Sequence, residues 1–266
     1  MQSTPFFENS YPRLTVHTQA LDISPNLTVE NLSVKYRAIE ALTDVSFSLQ
    51  SGRLVGIFGP NGAGKSTLIK AMLGLIPAVS GAVQYEGKAL VDQLDRVAYV
   101  PQRSQIDWSY PVTVWDVVMM GRTKKTGWFQ RYSSISRRLV TQALERVGMM
   151  EFRDRAISDL SGGQQQRVFL ARALAQQADV FCFDEPFVGI DQKTQTIMFD
   201  VFKELTRENK LVLVVNHDLG ESIVNFDELI LLNKSLVASG SRQKVLTQDN
   251  LQQAYGGKVV FFSDAA

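Results

Sequence analysis

Apolar and polar residues alternate from Leu27 onward, with Leu32, Val34 and Tyr36 falling on one face, and the alternation returns at Val45, Phe47 and Leu49. A period of two puts alternate side chains on one side of an extended chain, so the stretch predicts two strands running antiparallel. Leu54, Val55, Ile57 and Phe58 then form a short apolar run rich in β-formers, and Leu68, Ile69, Met72 and Leu73 recur at helical spacing. Pro77 and Gly81 mark a turn ahead of Ala82–Tyr85 and Val97–Val100, which read as further strands. From about Ile106 to Asp159 the texture is helical, carried by Val114, Trp115, Val117, Val118 and Met119 and later by Leu139, Ala143, Leu144 and Val147. Val168, Leu170, Ala171 and Leu174 predict another helix, and Val180–Phe183 a buried parallel strand. A helix beginning near Gln192, a core strand at Leu211–Val215, and edge strands at Leu229–Leu232 and Leu236–Ala238 follow; residues 241–266 predict one short helix and a tail. The order is that of an α/β protein with an antiparallel β subdomain near its start and a helical subdomain, about 106–159, inserted in the middle.

Between the first apolar run and the first helix lies Gly59-Pro60-Asn61-Gly62-Ala63-Gly64-Lys65-Ser66-Thr67, which fits G-x-x-x-x-G-K-[ST]. Glycines let successive backbone N–H groups turn inward around phosphate oxygens, and the helix that follows adds the positive end of its dipole. Lys65 is then expected on the β- and γ-phosphates and Ser66 on the Mg²⁺ that bridges them.

Other candidates are spread along the chain. Tyr36, at the end of the first strand, suits either stacking on an adenine ring or closing the sheet. Gln102, leaving a strand, suits either a neutral oxygen for Mg²⁺ or an ordinary surface position. Leu160-Ser161-Gly162-Gly163-Gln164 opens a helix with Ser161 as N-cap, which makes a second anion-binding helix start or simply a capped helix with a flexible lead-in. Val180-Phe181-Cys182-Phe183-Asp184-Glu185 ends a core strand in two acids, where open α/β sheets present functional groups. Asp184 is placed to hold Mg²⁺ and Glu185 to polarise an attacking water. His217 stands just past the Leu211–Val215 strand and is read as touching the γ-phosphate; His17 has no such company.

Composition narrows the classes. The 266 residues carry a formal charge of +1, which argues against a nucleic-acid partner held by a dominant field. The single cysteine, Cys182, excludes an internal disulfide and reads as a small buried apolar residue. No run approaches the roughly 18 to 20 apolar residues that span a bilayer, so any membrane connection is expected to pass through a partner. Residues 1–26 lack the cationic start and apolar stretch of a secretory signal and are expected to form a flexible extension. No acid occurs between Asp116 and Glu145, while Arg122, Lys124, Lys125, Arg131, Arg137 and Arg138 are interleaved with Trp128, Phe129 and Tyr132. That segment is either a solvated basic face or a surface near anionic lipid headgroups.

Taken in this order, the P-loop, Gln102, Ser161 to Gln164, Asp184-Glu185, Asp191 and His217 resemble the nucleotide-binding subunit of an ABC transporter, from about Val29 to Gly240. The resemblance implies a P-loop NTPase fold with a RecA-like core, an ATPase domain over 27–240, and ATP and Mg²⁺ as ligands. It makes Tyr36 the adenine-stacking aromatic, Gln102 the Q-loop, and Ser161-Gly162-Gly163-Gln164 the signature motif. Asp184 becomes the Walker B acid, Glu185 the catalytic carboxylate, Asp191 the D-loop acid and His217 the switch histidine. It further implies a head-to-tail homodimer in which each ATP lies between one P-loop and the other subunit's signature.

A narrower resemblance rests on Val100-Pro101-Gln102-Arg103-Ser104-Gln105-Ile106-Asp107-Trp108-Ser109-Tyr110-Pro111-Val112-Thr113-Val114, on Asp184-Glu185-Pro186-Phe187-Val188-Gly189-Ile190-Asp191 and on Leu246-Thr247-Gln248-Asp249-Asn250-Leu251-Gln252. These stretches look like the bacterial manganese, zinc and iron uptake branch, nearest to manganese importers. The implied protein is a peripheral ATPase on the cytoplasmic face of the membrane, working through an integral permease and indirectly with an extracytoplasmic metal-binding protein. Zinc or iron import, and a soluble ABC ATPase acting on a cytosolic scaffold, are the alternatives; a small-molecule kinase is disfavoured by Glu185 and the Ser161 to Gln164 motif. No residue is expected to bind the transported ion.

Overall fold

The computed structural model describes residues 26–126 and 131–256. The expected extension before Asn26, His17, Trp128, Phe129 and the tail beyond Gly256 lie outside the described residues.

The alternating stretch forms β1 (Leu27–Tyr36) and β2 (Ile39–Leu49), paired antiparallel with Leu27 opposite Leu49. β4 (Ser80–Tyr85) joins the other side of β1 and β5 (Lys88–Ala89) completes a four-stranded sheet in the order β2-β1-β4-β5. The period of two fails within β1: Asn31 takes φ 48° and the register slips, so that Leu27, Val29, Leu32 and Val34 are all buried. Tyr36 does not share the burial of Leu32 and Val34. It is 47% exposed beside Ile39 at 68%, because this end of the hairpin runs past the core.

The second sheet has the order β10-β9-β3-β8-β7-β6. Its members are β3 (Leu54–Phe58), β6 (Val97–Val100), β7 (Val180–Asp184), β8 (Leu211–Val215), β9 (Glu228–Asn233) and β10 (Ser235–Ser241), all parallel to their neighbours except the antiparallel β10. β9 was expected at an edge. It lies inside, paired with β3 on one side and β10 on the other, which is what its unbroken Leu229-Ile230-Leu231-Leu232 run, buried throughout, calls for.

Each central strand divides its side chains between two cores. Val180 and Cys182 of β7, Leu211, Leu213 and Val215 of β8, and Val55 and Ile57 of β3 face the antiparallel sheet and α1 (Lys65–Met72). Phe181 and Phe183, Val212 and Val214, and Phe58 face the helices on the other side. There Phe183 packs on Phe202 at 4.7 Å between ring centroids and Phe187 on Phe199 at 4.7 Å. Burial pushes the Cys182 thiol up to about 12, so it remains an inert apolar filler.

The helical layer contains α2 (Val114–Met120), α3 (Thr123–Thr126), α4 (Ser134–Arg146) and α5 (Gly162–Gln176), and α6 (Gln192–Arg207) covers the same side of the sheet. α5 shares its buried face with α2 and α4, so helical packing continues past Asp159. Two helices, α7 (Arg242–Val245) and α8 (Gln248–Tyr255), stand where one was expected; the first ends at Leu246, and Thr247 caps the second by accepting from the Asn250 N–H.

Candidate active site

Four neighbouring parallel strands deliver the candidate residues to one edge. β3 leads into the P-loop, β8 ends before His217, β7 ends in Asp184 and Glu185, and β6 is followed by Pro101 and Gln102. Parallel strands release their C-terminal ends on the same side, so residues more than a hundred positions apart in sequence converge without any local signal.

The P-loop is braced from behind. The Lys234 N–H donates to the Ala63 carbonyl at 2.8 Å, and the Thr43 N–H to the Lys234 carbonyl at 2.8 Å, which ties the loop to both sheets. Two glycines are demanded by this fit. A Cβ on Gly59 (φ 152°) would stand 2.1 Å from the Leu232 carbonyl oxygen, and one on Gly64 (φ 95°) 2.6 Å from Leu42 Cδ2 and 2.7 Å from the Ala41 carbonyl oxygen. Asn61, Gly62, Ala63, Gly64, Lys65, Ser66 and Thr67 line a concavity of about 180 Å³, closed on the far side by Glu185.

Inside it the polar groups are ordered. Lys65 is 6% exposed and its Nζ donates to the carbonyls of Gly59 at 2.8 Å and Pro60 at 3.0 Å. Desolvation lowers its pKa, against the opposing pull of Glu185 and Asp184. Ser66 Oγ donates to Asp184 Oδ1 at 2.8 Å, and the Tyr99 hydroxyl approaches Oδ2 at 3.5 Å. Burial raises the Asp184 pKa, and the nearby Glu185 adds to the rise, while the Ser66 bond resists it. A carboxylate 1% exposed, with a hydroxyl as partner and no ion pair among the described residues, is poised to gain from a positive ion. The donor set of hydroxyl, carboxylate and amide oxygens suits a hard divalent cation such as Mg²⁺.

Glu185 adopts φ 49°, a left-handed conformation costly for a residue with a Cβ, and its N–H donates to the Val215 carbonyl at 3.1 Å. Gln102 Nε2 donates to Glu185 Oε2 at 2.6 Å, so this glutamine steadies the carboxylate. His217 is exposed at the same edge, just after Asn216, whose N–H donates to the Ile57 carbonyl at 3.0 Å.

Asp191 and the signature residues are brought elsewhere. Asp191 caps α6, with Oδ1 accepting from the Thr194 N–H at 2.9 Å, and hydrogen bonding from the Thr194 side chain, then from this N–H, holds its carboxyl below the usual range. Ser161 caps α5 in a reciprocal box: the Gln164 N–H donates to Ser161 Oγ at 3.3 Å and the Ser161 N–H to Gln164 Oε1 at 2.9 Å. The two helix starts touch, since a Cβ on Gly163 would lie 2.8 Å from Thr194 Oγ1. Tyr36, exposed at its hairpin, is likewise outside the concavity.

Sequence reasoning missed Tyr99 and Lys234. Tyr99 sits in an alternating strand, three residues before Gln102, but its partner Asp184 is 85 positions away. Lys234 acts through its backbone, for which a sequence carries no sign.

A P-loop, a buried acid bonded to its serine and a second acid at the next position, all at the end of a parallel sheet, define a nucleotide-hydrolysing α/β protein. The family profile described as ABC transporter matches residues 42–188, and the chain belongs to that family; it is an ABC ATPase subunit that binds ATP. Its relatives include a probable ABC transporter ATP-binding protein of Cyanophora paradoxa, 52% identical over 86% of this chain and 94% of that one. The manganese transport system ATP-binding protein MntB of Bacillus subtilis is 46% identical over 89% of this chain and 94% of its own. The zinc transport system ATP-binding protein TroB of Treponema pallidum is also 46% identical, over 87% of each chain. Among solved structures, an ATP-binding cassette of an ABC transporter in its ADP conformation superposes with a TM-score of 0.77 at 25% identity, covering 88% of this chain and all (100%) of that one. The fold expected from the sequence, a P-loop NTPase with an added antiparallel sheet and helical layer, is the fold observed.

Proposed function

We propose that the chain hydrolyses MgATP to power uptake of a divalent metal, manganese, through a separate integral membrane permease, and that it sits peripherally on the cytoplasmic face. The observation that carries the ATPase mechanism is the convergence of the P-loop, Ser66–Asp184 and Gln102–Glu185 at one sheet edge. Lys65 and the P-loop amides hold the β- and γ-phosphates. Ser66, Asp184 and Gln102 would hold Mg²⁺, which when bound offsets the charge on the phosphate oxygens. Glu185, steadied by Gln102, orients a water and takes its proton, and His217 contacts the γ-phosphate from the neighbouring strand end. Tyr36 stacks on adenine from its exposed hairpin. Ser161, Gly162, Gly163 and Gln164 act on the ATP of a second copy, with Asp191 at the same junction, so hydrolysis loosens a head-to-tail homodimer.

The permease reading is supported by an apolar groove of about 300 Å³ lined by Ile106, Trp108, Tyr110, Val112, Met120 and Phe169. Arg172 lies in it with its guanidinium 5.6 Å from the Phe169 ring and no hydrogen-bond partner for Nε. Desolvation lowers the Arg172 pKa. An apolar groove holding an underused cation is a surface built to be covered. Among the described residues no helix is long and apolar enough to cross a membrane, so the transport path belongs to another chain. An extracytoplasmic metal-binding protein would act through that permease.

The cargo rests on the relatives: manganese is named for the proteins of B. subtilis and Listeria monocytogenes, and zinc for that of T. pallidum, which keeps zinc as the second reading. Whole-cell metal content in the native host, compared between the unaltered chain and Glu185→Gln at limiting metal, tests both. A selective fall in manganese is expected. A fall confined to zinc replaces the cargo, and unchanged metal contents with a confirmed inactive variant overturn the importer reading.

A further inference from the structure

All but one of the cations in the basic segment after α2 lie on the surface. Between Asp116 and Glu145 it holds +6 from lysine and arginine and no acid, whereas the whole chain is +1, leaving −5 for the remainder. One of the six is structural: Arg122 is 5% exposed and donates to the Ala175 carbonyl at 3.0 Å and towards Ser136 Oγ at 3.5 Å. The other five, Lys124, Lys125, Arg131, Arg137 and Arg138, are exposed, and none makes an ion pair among the described residues. The Arg122–Ser136 contact and the 3.1 Å bond between the Thr123 and Tyr132 hydroxyls pin α3 against the start of α4, so the five cations share one region.

Local helix energetics do not account for them. α4 has no acid in its first turn, and Arg137 and Arg138 stand near its positive end, where the helix dipole disfavours cations. The region also adjoins the apolar groove: Met120 lines the groove and is 42% exposed, and Lys124 follows four residues on, within about 14 Å by chain length. Ile135, 57% exposed, adds an apolar contact among the cations.

From this charge, exposure and placement we infer that Lys124, Lys125, Arg131, Arg137 and Arg138 form a docking surface for the anionic headgroups of the bilayer beside the permease. The orientation rests on the permease reading, since a permease segment in the groove brings the adjoining cations to the membrane. The attraction itself does not depend on it, and the purified chain is therefore the right material for the test.

Sedimentation of the full chain with vesicles of phosphatidylcholine containing half phosphatidylglycerol is expected to carry down protein at low salt, and pure phosphatidylcholine vesicles are not. Binding should weaken steeply between low and physiological salt. Each cation near such a surface strengthens partitioning on the order of fivefold, so Lys124→Gln with Lys125→Gln should weaken it about 25-fold. Arg137→Gln with Arg138→Gln should do the same, while Lys88→Gln with Lys193→Gln, at exposed positions outside the segment, should change little. Circular dichroism and ATP binding of each variant establish that it is folded. Equal binding to neutral and anionic vesicles, full binding by the folded patch variants, or retention on single-stranded RNA with none on anionic vesicles would each overturn the inference. Failure here leaves the permease reading standing; that reading is tested separately by Met120→Asp in the groove, which should abolish co-purification of the chain with the detergent-solubilised permease while leaving its binding to anionic vesicles unchanged.

Discussion

The two helix starts proposed to meet phosphate, at α1 and at α5, are built on opposite plans. The start of α1 is deep in the molecule: its lysine is 6% exposed, its serine is bonded to a buried acid, and a second acid closes the cavity around it. The start of α5 faces outward, satisfies its own cap through Ser161 and Gln164, and leans on α6 rather than on any acid of the sheet edge. The first gathers a buried lysine, a serine and two acids around its loop; the second is capped by its own Ser161 and Gln164 and has no acid of the sheet edge beside it among the described residues. A single fold that finishes one half-site and leaves the other bare is what the proposed head-to-tail pairing of two copies would complete.

The contrast can be broken most forcefully at α1. Lys65→Ala removes the buried cation that the Gly59 and Pro60 carbonyls position, and ATP affinity is expected to fall at least 100-fold, an expectation set by a lost charge-assisted contact of about 3 kcal/mol. Isothermal titration with ATP checks this, and unchanged affinity would remove the P-loop from nucleotide binding. Ser161→Arg, on the exposed side of the comparison, is expected to leave ATP affinity of the isolated chain within about twofold and to abolish cooperative hydrolysis. Loss of binding by the single chain would instead place both helix starts on one nucleotide.

A smaller effect sharpens the energetic side. Burial raises the Asp184 pKa, so the folded state holds this proton more tightly than the unfolded chain does. Between the unfolded and folded pKa values the native state binds more protons, and stability from this group is present at low pH and lost as pH rises. Asp184→Asn, which keeps the shape and deletes the charge, should therefore raise the melting temperature of the nucleotide-free chain by a few degrees at pH 8 and by little or nothing at pH 4. An equal shift at both values would show that the carboxylate is not strained by burial.

Much of this was legible in the sequence because the signals are local. The P-loop sits between an apolar run and a helical repeat, the acid pair ends an apolar strand, and Ser161 with Gln164 is a capping box written in four residues. What was not legible depends on partners far away in the chain. The Ser66–Asp184 bond joins residues 118 positions apart and Gln102–Glu185 joins residues 83 apart, so only the strand order could reveal them. β9 was misplaced at the edge because its antiparallel neighbour β10 is a weakly patterned, half-buried strand that does not advertise its pairing. Tyr36 was grouped with Leu32 and Val34 by its alternation, but that pattern does not tell where the hairpin runs past the core and leaves Tyr36 exposed. Asp191 illustrates the opposite limit: its position in the motif was clear, yet its side chain is engaged in capping α6.

The central claim, that the catalytic unit is completed only by a second copy, is tested most directly by sedimentation velocity of Glu185→Gln with saturating MgATP. This substitution removes the proposed proton acceptor while leaving the P-loop, Ser66 and Asp184 in place. The account predicts an ATP-dependent dimer that persists for many normal turnover times and is absent when Ser161→Arg is added to the same chain. A species that stays monomeric while fully loaded with ATP, or a dimer indifferent to Ser161→Arg, would contradict it.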